Sequence, residues 1–156
     1  MTDVDTRSDA RTLIHPDLFA TLTARIAVDH PELPDGMPDR ILDQALAFLA
    51  ACATTTRPIG PSELVDIGWH TFILHTADYA AFCQRIAGRF IHHQPEPAPG
   101  DERPSRPQPI GAPISETVAA IRAAGYRVDP DLWGLAADCT SKCTQCHAGC
   151  TDSPGR

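Results

Sequence analysis

The sequence predicts an all-α fold, from three observations. Apolar residues recur at helical spacing in successive stretches between residues 13 and 93. Proline, glycine and capping residues punctuate the ends of those stretches. A length of 156 residues suffices for one modest domain and a tail, and is too short for two full-sized domains. The predicted architecture is a small helical bundle of about four helices over 13–93, a proline-rich linker over 94–113, a docking helix segment over 114–137 and an irregular cysteine-rich tail over 138–156.

Residues 1 to 12 are polar and are expected to fray. His15-Pro16-Asp17 opens the first helix, with Leu18, Leu22 and Ile26 on one face, and His30-Pro31 ends it. Prolines 31, 34 and 38 with Gly36 make a rigid loop. The second helix runs from Pro38 to about Ala53, its apolar face carrying Ile41, Leu42, Ala45, Leu46, Leu49 and Cys52. Pro38 and Asp39 both suit a helix start.

A third helix begins at Pro61-Ser62-Glu63, where Val65, Trp69, Phe72 and Ile73 form the apolar stripe. His75-Thr76 breaks the pattern, with Thr76 as the expected N-cap of a fourth helix from Ala77 to about Ala87. Tyr79, Phe82, Cys83 and Ile86 are its buried face, and Gly88 suits a left-handed C-terminal position. Phe90 to His93 is a short extended segment.

The composition then changes. Gln94 to Pro113 carries seven of the fifteen prolines and almost nothing apolar, which reads as a polyproline-like spacer. Ser115 caps one further helix to about Ala124, with Val118 and Ile121 apolar, and Gly125 closes it. Tyr126, Val128, Leu132 and Trp133 are enough to dock on the bundle but not to form a second core.

A formal net charge of −7 argues against nonspecific binding to nucleic acid or anionic lipid. The opening MTDVDTRSDARTLIHPD lacks the apolar region of a secretory signal, and nowhere do eighteen apolar residues run together, so no membrane span is expected. The expected compartment is the cytoplasm, where thiols stay reduced.

Two constellations carry chemistry. Asp66 and His70 are four apart on a predicted helix and therefore share a face, at the edge of the core beside Trp69. His92 and His93 follow the antiparallel fourth helix, which brings one of them back near the start of the third. A carboxylate with two imidazoles suits Zn or another first-row metal. The alternative is a buried structural hydrogen-bond network between Asp66 and a histidine. His75 lies at the far end of the third helix and is left out of this set.

The stretch PSELVDIGWHTFILHTADYAAFCQRIAGRFIHHQP, residues 61 to 95, resembles the D-x-x-WH … T-x-x-Y-x-x-FC … G-x-F-x-HH-x-P core of the glycine-rich domain-containing protein-like family. The resemblance covers roughly residues 12 to 95 and implies an all-α module. On matching positions it singles out Asp66, Trp69, His70, Thr76, Tyr79, Phe82, Cys83, Gly88, His92, His93 and Pro95. No glycine-rich repeat is present, and the proline spacer and cysteine tail stand where that family has a longer downstream region.

The second constellation is DCTSKCTQCHAGC, with Cys139, Cys143, Cys146 and Cys150 spaced C-x3-C-x2-C-x3-C and His147 between the last two. CTQCH satisfies the haem c motif literally, but export is not expected and no methionine or second histidine follows as an axial ligand, which leaves His15 or His30 for that role. The cysteine triple resembles the cluster motif of radical SAM enzymes, for whose barrel the chain has no room. An iron-sulfur cluster held on thiolates alone remains open. Four thiolates, or three with His147, suit tetrahedral Zn, and a compact clip of this kind also takes Cu(I).

A different reading makes the tail, with Thr140, Ser141, Thr144, Thr151 and Ser153, the part of a ribosomally made peptide precursor that a partner enzyme modifies. Cys52 and Cys83 read as plain core residues. No Ser-His-Asp set, phosphate loop or dinucleotide fingerprint appears. The expected function is a small metal-binding or metal-handling protein, with Zn as the first metal and a modifying enzyme or a metal-handling protein as partner. A precursor protein or a non-catalytic interaction module stand as alternatives.

Overall fold

The computed structural model describes residues 7–93 and 113–135. The described residues hold the helices α1 (Pro16–Asp29), α2 (Met37–Thr54), α3 (Glu63–Leu74), α4 (Thr76–Ala87) and α5 (Ile114–Ala123), with 3-10 turns at Ala10–Leu13 and Pro130–Trp133. No strand occurs among them; an isolated parallel bridge joins Ser8 to Tyr126. The fold is the small all-α bundle that the apolar periodicity predicts.

Helix α2 is the axis of the bundle. Every residue from Gln44 to Ala51 is buried, so this helix has no solvent face over two turns. A helix apolar all round must be covered on all sides, and α1, α3, α4 and α5 pack around it. Leu22 and Ile26 of α1, Val65 and Phe72 of α3, Tyr79 and Phe82 of α4 and Ile121 of α5 meet it in one core. Each such side chain contributes about 1.5–3 kcal/mol by leaving water.

Helices α2 and α3 approach each other closely at Gly68. A Cβ added there would lie 2.9 Å from the Ala45 Cβ and 3.1 Å from both Cγ2 and the carbonyl oxygen of Ile41. The absent side chain lets the two backbones meet. It also fixes the height of α3, and so of Asp66 and His70 on either side of Gly68.

The C-terminal segment closes the bundle through Gln44, a buried polar residue on the axial helix. Its Oε1 accepts from the Asp129 N–H at 3.0 Å and the Trp133 Nε1–H at 2.8 Å, and its Nε2 donates to the Arg127 carbonyl at 3.0 Å. Leu132 and Trp133 are buried beside it. At the rim, Arg40 grips Asp129 with two hydrogen bonds of 2.7 and 2.8 Å and reaches Asp131 at 2.8 Å.

Three local expectations change. The polar residues 7 to 12 are held rather than frayed. Ser8 N–H donates to Gly125 O and Arg127 N–H donates to Ser8 O, both at 3.1 Å, while Ala10 is buried and Arg11 N–H donates to Asp43 at 2.9 Å. Their partners lie far along the chain, where local composition gives no hint of them. Residue 75, not Thr76, separates α3 from α4: His75 ends one helix and caps the next, with φ −88° and ψ 69°, and Thr76 is already helical. Likewise α5 starts at Ile114 behind Pro113, leaving Ser115 exposed in the first turn without a capping role. The proline spacer up to residue 112 and the tail bearing Cys139, Cys143, Cys146, His147 and Cys150 lie outside the described residues.

Candidate metal centre

The third helix starts where Ser62 caps it, its Oγ accepting the Val65 N–H at 3.2 Å. The same hydroxyl donates to the Leu132 carbonyl at 2.6 Å, which ties the helix start to the closing segment. Asp66 falls in the first turn of α3, where the positive end of the helix favours a negative side chain. One turn later stands His70, whose Nδ1 lies 3.2 Å from Asp66 Oδ2.

The third member comes from outside the helix. His93 Nε2 lies 2.7 Å from Asp66 Oδ1. Each carboxylate oxygen therefore faces one imidazole nitrogen. The His93 contact is a hydrogen bond, and the His70 contact is a close ion-pair approach. The two imidazole rings lie against each other with centroids 4.2 Å apart. One ligand atom from each of Asp66, His70 and His93 lies within 4.8 Å of the other two.

Why His93 reaches this place, and His92 does not, follows from how residues 91 to 93 are pinned. Ile91 is buried. Its carbonyl accepts the Tyr79 hydroxyl proton at 2.5 Å, and the same hydroxyl accepts the Trp69 Nε1–H at 2.9 Å. In an extended stretch alternate residues face the same side. With Ile91 turned into the core, His93 also faces the bundle and His92 faces away. His92 is exposed, its ring 4.8 Å from that of Phe90. Of the two histidines it is His93 that joins Asp66 and His70, and His92 lies outside the cluster.

The site is graded in exposure. The His93 side chain is 11% exposed, Asp66 28% and His70 55%. The Trp69 ring packs on His93 with centroids 4.3 Å apart and the rings tilted by 55°, so His93 sits between the indole and the Asp66 carboxylate. His70 stands at the rim. Tetrahedral Zn–N and Zn–O bonds of about 2.0–2.1 Å put ligand atoms roughly 3.4 Å apart. The present spacing is within 4.8 Å.

Trp69 and Tyr79 position the site, yet helical spacing marks them only as core residues. The signal that distinguishes them is their polar atoms: a buried indole N–H and a buried phenol each need a partner. Here they partner each other and then the Ile91 carbonyl.

The other candidates fall elsewhere. His75 Nδ1 sits 3.1 Å from the Thr71 carbonyl at the far end of α3. Cys83 is fully buried, and Cys52 is partly buried. Burial pushes the Cys52 thiol up to about 12, which disfavours the thiolate. A shallow cleft of about 530 Å³ lies between α1, the loop of residues 30 to 36 and the start of α2, lined by Thr23, Ala27, His30, Pro34 and Asp39 among others, and shares no residue with the Asp66 cluster. No helix among the described residues is long and apolar enough to cross a membrane.

No curated protein and no solved structure matches the chain. A family model does match, and it overturns the resemblance to the glycine-rich domain-containing protein-like family: the motif positions of residues 61 to 95 fall within a different family's match. That match spans residues 9–106, well over half of the sequence, and by it the chain belongs to the UCP032817-like family.

Proposed function

We propose that this protein binds a first-row divalent metal ion, Zn2+ foremost, through Asp66, His70 and His93. The single observation that supports this most is the gathering of one carboxylate and two imidazoles, from α3 and from residues 91–93, with ligand atoms within 4.8 Å of one another. Two neutral imidazoles and a carboxylate suit Zn2+ and its neighbours better than the all-oxygen shells of Mg2+ or Ca2+. In a reducing cytoplasm the tail thiols of Cys139, Cys143, Cys146 and Cys150, with His147, form a second and softer donor set by their spacing alone. A protein with both sets would hold or pass on metal ions rather than transform a substrate.

The test separates the two donor sets. Protein with the four tail cysteines replaced by serine is dialysed against micromolar Zn2+, and its metal content is measured by elemental analysis. About one Zn2+ per chain is expected, and His93→Ala in that background should remove it. Metal-free protein at micromolar Zn2+, or binding indifferent to His93→Ala, would refute the bundle site. The precursor reading rests on the Ser, Thr and Cys content of the tail behind the proline spacer. It requires the intact mass of protein isolated from its native cells to depart from the sequence mass.

A further inference from the structure

We infer that the ion held by Asp66, His70 and His93 keeps one coordination position open to solvent, where a small monoanionic donor such as azide or a simple carboxylate binds. This deepens the metal-binding reading and rests on it. The donor cluster among the described residues has three members, one fewer than a tetrahedral shell requires. Structural zinc sites close the fourth position with protein, whereas three-ligand sites leave it to water or an added ligand.

The exposures give the open position a direction. His93 and Asp66 form the inner floor, covered on one side by the Trp69 ring, and more than half of the His70 side chain reaches solvent. Among the described residues, a floor on the Trp69 side and a rim at His70 leave the outward side of the ion uncovered. Charge gives the ligand class. A divalent ion on one carboxylate and two neutral imidazoles carries a net charge of +1, so a monoanion neutralises it. Water bound there is acidified by the ion, so hydroxide is the competing ligand at higher pH.

Co2+ reports the outcome, because its visible bands respond to every change in its ligands. Full-length chain, and full-length chain with all four tail cysteines changed to serine, are loaded with Co2+ and titrated with azide. The same saturable shift of the visible bands is expected in both, and its loss in His93→Ala versions of both. A shift in the serine chain that is missing from the native chain overturns the inference, because a tail thiolate then fills the position. Co2+ bound in a His93-dependent way with no azide response in either chain overturns it too, because the shell is then closed. Failure of either chain to bind Co2+ through His93 refutes the metal reading itself, an outcome distinct from a closed shell.

Discussion

His93 Nε2 and Asp66 Oδ1 lie 2.7 Å apart although 27 residues separate them in the chain. The contact joins a helix to the end of the segment that follows the next helix, so it depends on the packing of both. Its adjacent histidine supplies the control. Removing a ligand should weaken Zn2+ binding by more than the roughly 10–100-fold lost when an outer-shell partner goes. His93→Ala is therefore expected to weaken binding by at least about 100-fold by that measure, and His92→Ala by no more than about threefold, an exposed side chain having little to lose. Competition with a chromogenic chelator reads both. Equal losses for the two variants would sink the assignment.

Tyr79→Phe deletes one oxygen that serves two buried partners, the Trp69 indole N–H and the Ile91 carbonyl. Stranding them should cost about 1–3 kcal/mol of stability. It should also weaken Zn2+ binding about 10-fold, as loss of outer-shell support does. Urea unfolding and metal competition read the two effects separately. Full stability together with unchanged affinity would show that Tyr79 holds nothing in place.

Gly68→Ala forces a methyl group against Ala45 and Ile41. Overpacking costs about 1–3 kcal/mol, against which alanine regains up to about 1 kcal/mol of helix propensity. A lower melting temperature is expected. At Gly60 an added Cβ meets nothing within 4 Å, so Gly60→Ala should stay within about 0.5 kcal/mol of the parent. A Gly68→Ala protein as stable as the parent would mean that α2 and α3 separate freely.

Gln44→Leu keeps the volume and removes every hydrogen bond that the closing segment makes to the axial helix through this side chain. Leaving the Trp133 N–H and the Arg127 carbonyl without partners should destabilise by about 3 kcal/mol. The readout is the urea midpoint, together with fluorescence of Trp133 and protease cleavage near residues 126–135. Cleavage unchanged from the parent would contradict this role.

Asp43 governs a pH dependence. Desolvation by burial raises its pKa above the usual carboxylate value, outweighing the hydrogen bonds from Gln44 and the Arg11 N–H that act the other way. The folded state then binds this proton more tightly than the unfolded chain. Its contribution to stability is full below the unfolded value of about 3.9 and is lost as pH rises through the raised folded value. The stability of Asp43→Asn minus that of the parent should therefore grow over that window and level off above it. A flat difference across the window, measured by urea unfolding, would refute the shift.

Helix existence and type were legible from the chain alone, because a 3.6-residue apolar period and its end signals are local properties. The first four helices begin and end within one to two residues of their expected places. Asp66 with His70 was legible for the same reason, since i, i+4 on a helix brings two side chains together regardless of what surrounds them. Two other matters were decided only by tertiary structure. Residues 7 to 12 looked free because their partners, Gly125, Arg127 and Asp43, are distant in sequence. The choice of His93 over His92 turned on which of Phe90 and Ile91 enters the core. Both are large and apolar, so composition cannot rank them, and the Tyr79 hydroxyl bonded to the Ile91 carbonyl sets the parity of the segment. Local periodicity built the helices and half of the site; long-range packing and one buried hydroxyl supplied the other half.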